Sequence, residues 1–296
     1  MDIIEKITTI ARSDEPYNIT ISDSDTISGY SGVCIISGCK KIETKGRFVK
    51  LTIIGSGAMA VALAEGLKER YELEFIGRDT KKLEQLSEQF NASLSLLEQT
   101  DINGKNILLC VKPYALDAVG AQLSGKARTL YSILAGTPIS ALEAKIDAEH
   151  TVRAMPNVAA AFGASATALA GDEAVKDEAL EIFNAIGKSL WFGSEKELDI
   201  ATAVAGSGPA YLALVAEAMM DGAVKQGLKR GDSIQLVEAL FTGFAPLLSN
   251  QHPALIKDSV MSPGGTTAAG YAALEEGKVR DGFIKAIEAA FKVTQK

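Results

Sequence analysis

The sequence predicts an α/β fold, a doubly wound parallel sheet followed by an all-helical carboxyl-terminal part. Three observations carry this. Short apolar strands alternate with helical segments from Lys50 to about Asn157, a glycine-rich turn joins the first strand to the first helix, and from about Asp199 the pattern is helical throughout. The chain has 296 residues, so at about 150 per domain two domains are expected. With 47% hydrophobic and 23% charged residues it is too apolar for a disordered chain, and it is long enough to bury a core.

Residues 1–48 stand apart as an amino-terminal extension. Ile3, Ile4, Ile7 and Ile10 recur at helical spacing over 1–12, and Asn18–Ser22 and Val33–Ile36 are strand-like. No chemical motif falls there. Leu51–Ile54 is a buried-type strand, 58–70 an Ala- and Leu-rich helix, Glu72–Ile76 a second strand and about 79–90 a helix. Asn106–Val111 and Arg128–Leu134 are two further strands, and Ala166–Ala170 and Leu190–Phe192 are weaker candidates. These segments make 49–198 one domain and 199–296 a second, helical one. In the latter, Ile234, Val237, Phe241, Phe244 and Leu248 form one apolar stripe, and Val279, Phe283, Ile287 and Phe291 another. Asp232 and Gln235 have the spacing of a capping box at the start of the first stripe. Helices this apolar complete their core against a second copy, so at least a dimer is expected.

Composition narrows the partners. Thirty Lys+Arg against 37 Asp+Glu give a net charge of −7, which argues against nucleic acid or an anionic membrane surface as partner. The cysteines, Cys34, Cys39 and Cys110, make neither a disulfide framework nor a zinc site. Apolar runs fall short of the roughly 20 residues of a membrane span, and the amino terminus has no secretory pattern. A soluble, cytoplasmic protein is expected.

Gly55-Ser56-Gly57-Ala58-Met59-Ala60 follows the first strand and opens a helix. In that context the first glycine makes the tight turn, the second admits a pyrophosphate, and the small Ala60 allows close helix–sheet packing. The free amides and positive dipole of the helix start then hold the anion. The second strand ends at Gly77-Arg78 without an acidic residue to accept from ribose hydroxyls. Arg78 suits a 2′-phosphate, which favours NADPH, whereas Asp79 next to it leaves NADH open.

The acid–base inventory is sparse. His150 precedes a strand, His252 precedes Pro253 at a helix start, and no Tyr has a Lys four residues on. No nucleophile elbow or metal cluster is present in the sequence. A dinucleotide fold without a histidine acid suits a substrate that needs little proton chemistry, such as the C=N bond of an imine. Near the end, Ser262-Pro263-Gly264-Gly265-Thr266-Thr267 breaks structure and then starts a helix. Bare amides flanked by three hydroxyls form a compact carboxylate site there, although an ordinary helix cap fits the same residues.

This segment, with Gly206-Ser-Gly-Pro-Ala-Tyr-Leu212 and Glu217-Ala-Met-Met-Asp-Gly-Ala223, resembles the pyrroline-5-carboxylate reductases. Gly55–Met59, Val111-Lys112-Pro113, Ala135-Gly136 and Arg153-Ala-Met-Pro-Asn157 resemble them as well, in the same order along Lys50–Lys296. The resemblance implies a Rossmann domain, a helical dimerisation domain, a homodimer and, in some members, a decamer of five dimers. It implies NAD(P)H-dependent reduction of 1-pyrroline-5-carboxylate to L-proline. Gly55, Ser56, Gly57, Ala58 and Met59 would hold the pyrophosphate, while Val111, Lys112, Pro113, Ala135, Gly136 and Asn157 would line the nicotinamide and its ribose. Ser262, Gly264, Gly265, Thr266 and Thr267 would bind the substrate, with Thr267 hydrogen-bonded to the imine nitrogen. Lys112 would favour the anionic cofactor; a plain surface lysine is the other reading. The family's usual start lacks residues 1–48, its common Thr-Pro after Asn157 is Val158-Ala159 here, and its Asn near the adenine is replaced by Leu96-Leu97-Glu98. A related cyclic-imine or oxo-acid reductase and a non-catalytic dinucleotide sensor are the alternatives.

Overall fold

The computed structural model describes residues 18–21, 25–28, 33–34, 42–43, 49–98 and 100–295. The helix expected over 1–12 lies outside the described residues. Upstream, 18–21 pairs antiparallel with 25–28, and 33–34 with 42–43.

The main sheet has eight strands: β1 Lys50–Ile54, β2 Glu72–Gly77, β3 Ser93–Leu96, β4 Asn106–Leu109, β5 Ala127–Ser132, β6 Ala148–Met155, β7 Ser165–Gly171 and β8 Gly187–Trp191. They lie in the order β3-β2-β1-β4-β5-β6-β7-β8. From β3 to β6 every pairing is parallel; β7 is antiparallel to β6, and β8 is parallel to β7. The expected Rossmann-type doubly wound sheet is therefore present. Its order reverses between β1 and β4, the switch point beyond whose carboxyl ends such sheets open a crevice.

Five helices alternate with these strands: α1 Ala58–Leu67, α2 Thr80–Phe90, α3 Leu116–Gly120, α4 Ile139–Glu143 and α5 Lys176–Asn184. Successive strand residues point to opposite faces, so both faces of the sheet become core. Leu51, Ile53, Phe75 and Leu108 pack under α1, α2 and α5 through Leu63, Leu83, Phe90, Ile182 and Phe183. Ile54, Ile76, Ile107 and Leu109 pack on the other face with Leu116, Val119 and Leu142 of α3 and α4.

The carboxyl-terminal part is helical, as expected: α6 Glu195–Ala205, α7 Gly208–Lys225, α8 Arg230–Asn250, α9 Pro253–Val260, α10 Thr266–Glu276 and α11 Val279–Thr294. α6 carries the packing against β6 and β7, and α11 lies on α6. The remaining contacts run among the helices: α7 on α6 and α8, α9 on α8, and α10 on α11. No side chain of α7, α10 or α11 is buried. Leu212, Leu214, Leu236, Leu240 and Leu274 are each about half exposed or more. An apolar surface of this extent is that of an interface.

One expectation changes. Asp232 and Gln235 form no capping box, because α8 begins at Arg230 and its cap position is Lys229, without a side-chain cap bond. Asp232 instead sits in the first turn, where its charge suits the helix dipole. Glu195–Lys225, which joins α6 and α7, is long and apolar enough by length and composition to cross a membrane, although no uninterrupted apolar run in it reaches about 20 residues. It carries Asp199, Glu217 and Asp221, and its exposed leucines, Leu212 and Leu214, belong to α7, which packs on α8.

Candidate active site

The turn after β1 is shaped by two glycines with different tasks. Gly55 has φ +127°, and a Cβ there would stand 2.5 Å from the Cys110 carbonyl oxygen of the neighbouring strand end. Only glycine fits that conformation and that space. Gly57 is extended, with φ −84°, and a Cβ on it would meet no atom within 4 Å. It occupies the cap position of α1, and no side chain caps that helix. The first-turn amides of Ala58, Met59 and Ala60 are thus open to an anion, beside space that a side chain would fill. Ser56 and Met59 are half-buried, Ala58 is exposed, and Ala60 is fully buried under the helix. A pyrophosphate fits these residues.

Beyond the tips of β2 and β3 lies a cavity of about 530 Å³, lined by Gly77, Arg78, Leu96, Glu98, Ala118 and Gln122 among others. Arg78 is exposed at the strand tip. Asp79 is engaged elsewhere: its carboxylate accepts from the Lys82 amide at 3.2 Å and caps α2. Arg78 stands at the rim of the cavity beside it. Leu96, Leu97 and Glu98 line the cavity together with Ala118 and Val119 of α3.

The nicotinamide-side segments rise from the same carboxyl end of the sheet. Val111 and Lys112 follow β4, and Pro113 opens a single 3₁₀ turn with Lys112 exposed at its start. Ala135 and Gly136 follow β5, both exposed, Gly136 with φ +64°. Asn157 follows β6 and is buried. Its Oδ1 accepts from the Ala159 amide, its Nδ2 donates to the Ala205 carbonyl, and its own amide donates to Ser165 Oγ, each at 3.0 Å. The Asn157 amide group therefore fixes the 158–162 turn, which packs on α1, and the end of α6. That is a positioning task at the end of β6.

The turn before α10 also leaves helix-start amides open. Pro263 and Gly264, the latter with φ +70°, close a β-turn in which the Gly265 amide donates to the Ser262 carbonyl at 2.9 Å. A Cβ on Gly265 would stand 2.4 Å from Ser262 Oγ, so the glycine lets this hydroxyl lie over the helix start. Gly265 is the cap residue of α10 and no side chain caps it, which leaves the Thr266 and Thr267 amides open beside exposed hydroxyls. Within one chain, α10 packs on α11 rather than on the sheet that carries the cofactor segments.

Other polar clusters lie elsewhere. His150 Nδ1 stands 2.5 Å from Asp172 Oδ2 at the amino end of β6, opposite the crevice, and the imidazole helps hold the Asp172 carboxyl below the ordinary range. His252 Nδ1 accepts from the Ala254 amide and caps α9. Burial would raise the Glu74 carboxyl, but hydrogen bonds from Lys105 and Thr52 and the Lys105 and Lys50 charges hold it low. None of these faces the crevice loops. Sequence reasoning missed the α3 wall of the cavity and the carboxylates of α6. The Ser194-x-x-Glu197 spacing could have signalled the start of α6, because Ser194 Oγ accepts from the Glu197 amide.

Comparison with known proteins agrees with this geometry. The family model for pyrroline-5-carboxylate reductase dimerisation matches residues 195–296, and that for NADP oxidoreductases, coenzyme F420-dependent, matches 50–136. The pyrroline-5-carboxylate reductase of Synechocystis is 38% identical over 261 residues, covering 83% of this chain and 97% of the relative. The solved enzyme of Coxiella burnetii is 30% identical with a TM-score of 0.75, covering 84% of this chain and 98% of that one. The Plasmodium falciparum pyrroline carboxylate reductase, solved with NADP bound, is 29% identical with a TM-score of 0.70, covering 83% and 98%. With a dinucleotide crevice, an amide-lined turn and an unpartnered helical layer all on one chain, this protein belongs to the pyrroline-5-carboxylate reductase family.

Proposed function

We propose that this protein reduces the C=N bond of 1-pyrroline-5-carboxylate with NADPH to give L-proline, and that it works as a homodimer in the cytoplasm, with assembly into decamers where dimers associate further. Residues 49–198 form the cofactor domain and 199–296 the dimerisation and substrate domain, with 1–48 an appended segment. The observation that carries the activity is the pairing of two open helix starts, the Gly55–Met59 turn and the Ser262–Thr267 turn, on one chain.

Bound NADPH supplies a hydride to the imine carbon. The chain's residues supply position. Gly57 and the open α1 amides hold the pyrophosphate, Arg78 pairs with the 2′-phosphate, and Val111–Pro113, Ala135, Gly136 and the turn fixed by Asn157 bound the nicotinamide side. Ser262 Oγ and the open Thr266 and Thr267 amides would grip the substrate carboxylate, with Gly264 and Gly265 shaping the turn, and so would hold the ring toward the nicotinamide. A threonine hydroxyl is a weak acid, so Thr267 orients the imine nitrogen and relays its proton rather than generating one. Lys112, exposed at the mouth, draws in the anionic cofactor. Because α10 packs on α11 and not on the sheet, the Ser262–Thr267 turn completes the crevice of the partner subunit.

The test is a steady-state assay with pyrroline-5-carboxylate. Thr267→Ala should lower kcat/KM by roughly 10- to 100-fold, about 1.5–3 kcal/mol of transition-state stabilisation. Undiminished kcat/KM would remove Thr267 from the reaction. Arg78→Ala should lower kcat/KM with NADPH by about tenfold or more while leaving NADH turnover unchanged, which parallel assays with the two cofactors will read.

A further inference from the structure

We infer that Arg153 and Glu195 are positioning residues that set the nicotinamide-side turn 135–138 against helix α6, and so tie the cofactor crevice to the dimerisation domain. The inference rests on the function proposed above, for it takes that turn to border the nicotinamide.

Arg153 lies two residues before the end of β6, with its side chain 3% exposed. Its Nη1 donates to Glu195 Oε1 at 2.9 Å and its Nη2 to Asp199 Oδ1 at 2.8 Å, both on the first turns of α6. Glu195 Oε1 also accepts the Ile139 amide at 2.9 Å. Ile139 opens α4 directly after the Ala135–Pro138 turn, so this amide has no partner inside its own helix. One carboxylate oxygen thus joins the cofactor turn to the buried guanidinium. From the other side, Gln295, beyond the end of α11, donates to Asp199 Oδ2 at 3.4 Å. The far end of α6 is held as well, where Asn157 Nδ2 donates to the Ala205 carbonyl. α6 is therefore clamped at both ends to loops of the crevice, and it is the helix through which the carboxyl-terminal part packs on the sheet.

A buried arginine between two carboxylates is not needed to fill this space, since apolar residues of similar volume serve packing as well or better. Its planar fork holds two acceptors in one fixed geometry, which lysine cannot match. Displacing a cofactor turn by about 1 Å costs roughly a hundredfold in rate, so a small loosening here would be read at the nicotinamide.

The experiment compares Glu195→Ala, Glu195→Gln, Arg153→Lys and Arg153→Met in the full chain. Readouts are hydrogen–deuterium exchange over 135–141, NADPH Kd by fluorescence, kcat and KM with pyrroline-5-carboxylate, oligomeric mass and thermal melting. Glu195→Ala should speed exchange at 135–141 and raise NADPH Kd about tenfold with a lowered kcat. Glu195→Gln, which keeps the acceptor for Ile139, should restore most of this, and Arg153→Lys should fall between. Should Arg153→Met fail to fold, the glutamate pair still decides. Lower melting temperature with unchanged exchange, Kd and KM would reduce the cluster to plain structure and overturn the inference. If the parent chain binds NADPH yet does not reduce the imine, the proposed function fails, while exchange and Kd still judge the latch.

Discussion

Gly57→Ala is expected to leave thermal stability close to the parent's, within about 2 °C, yet to weaken NADPH binding by more than about tenfold. The residue is extended, with φ −84°, so alanine adopts its backbone without strain, and the added methyl meets no protein atom within 4 Å. Among the described residues nothing stands in the way of that methyl, so it would obstruct a ligand brought against the α1 amides. Gly55→Ala is the contrasting case. There φ is +127° and the new Cβ would stand 2.5 Å from the Cys110 carbonyl, so strain and overlap together should cost about 2–4 kcal/mol of stability. Fluorescence titration with NADPH beside thermal melts separates the two glycines. Parental affinity in Gly57→Ala would mean that the dinucleotide does not use this turn.

A one-to-one mixture of Gly57→Ala and Thr267→Ala chains, dissociated and reassociated, is expected to recover about a quarter of parental turnover, although each variant alone retains little. Random pairing makes half of the dimers mixed. If each site takes its cofactor turn from one chain and its substrate turn from the other, every mixed dimer carries both lesions in one site and neither in its second. If both turns came from the same chain, each site would carry one lesion and mixing would restore nothing. The first arrangement is expected because α10, which follows the substrate turn, packs on α11 and not on the sheet. Turnover of the mixture against the two homodimers reads the difference directly.

What the sequence disclosed follows from where each signal is written. The phosphate turn was legible because its glycines answer to local backbone geometry, and β1, β2, β4 and β5 because strands buried on both faces read as apolar runs. The weaker candidates near 166–170 and 190–192 became β7 and β8. β3, Ser93–Leu96, escaped because an edge strand with largely exposed residues carries no such run. Asp232 and Gln235 misled because their spacing is compatible with a cap, while the chain turns helical two residues earlier. Asn157 was read only as a ligand residue, whereas its amide also ties the turn to Ala159 and Ala205. No local pattern announces a partner 48 residues away. The same holds for Arg153, whose two carboxylates lie 42 and 46 residues downstream.

The scarcity of buried side chains on α7, α10 and α11 has a consequence for how this protein lives. If that layer closes its core against a sister chain, as proposed above, it does not complete its own folding in isolation, and stability becomes a function of concentration. Dilution would then remove structure as well as activity, and a freshly made chain would stay exposed to proteolysis until it met its counterpart.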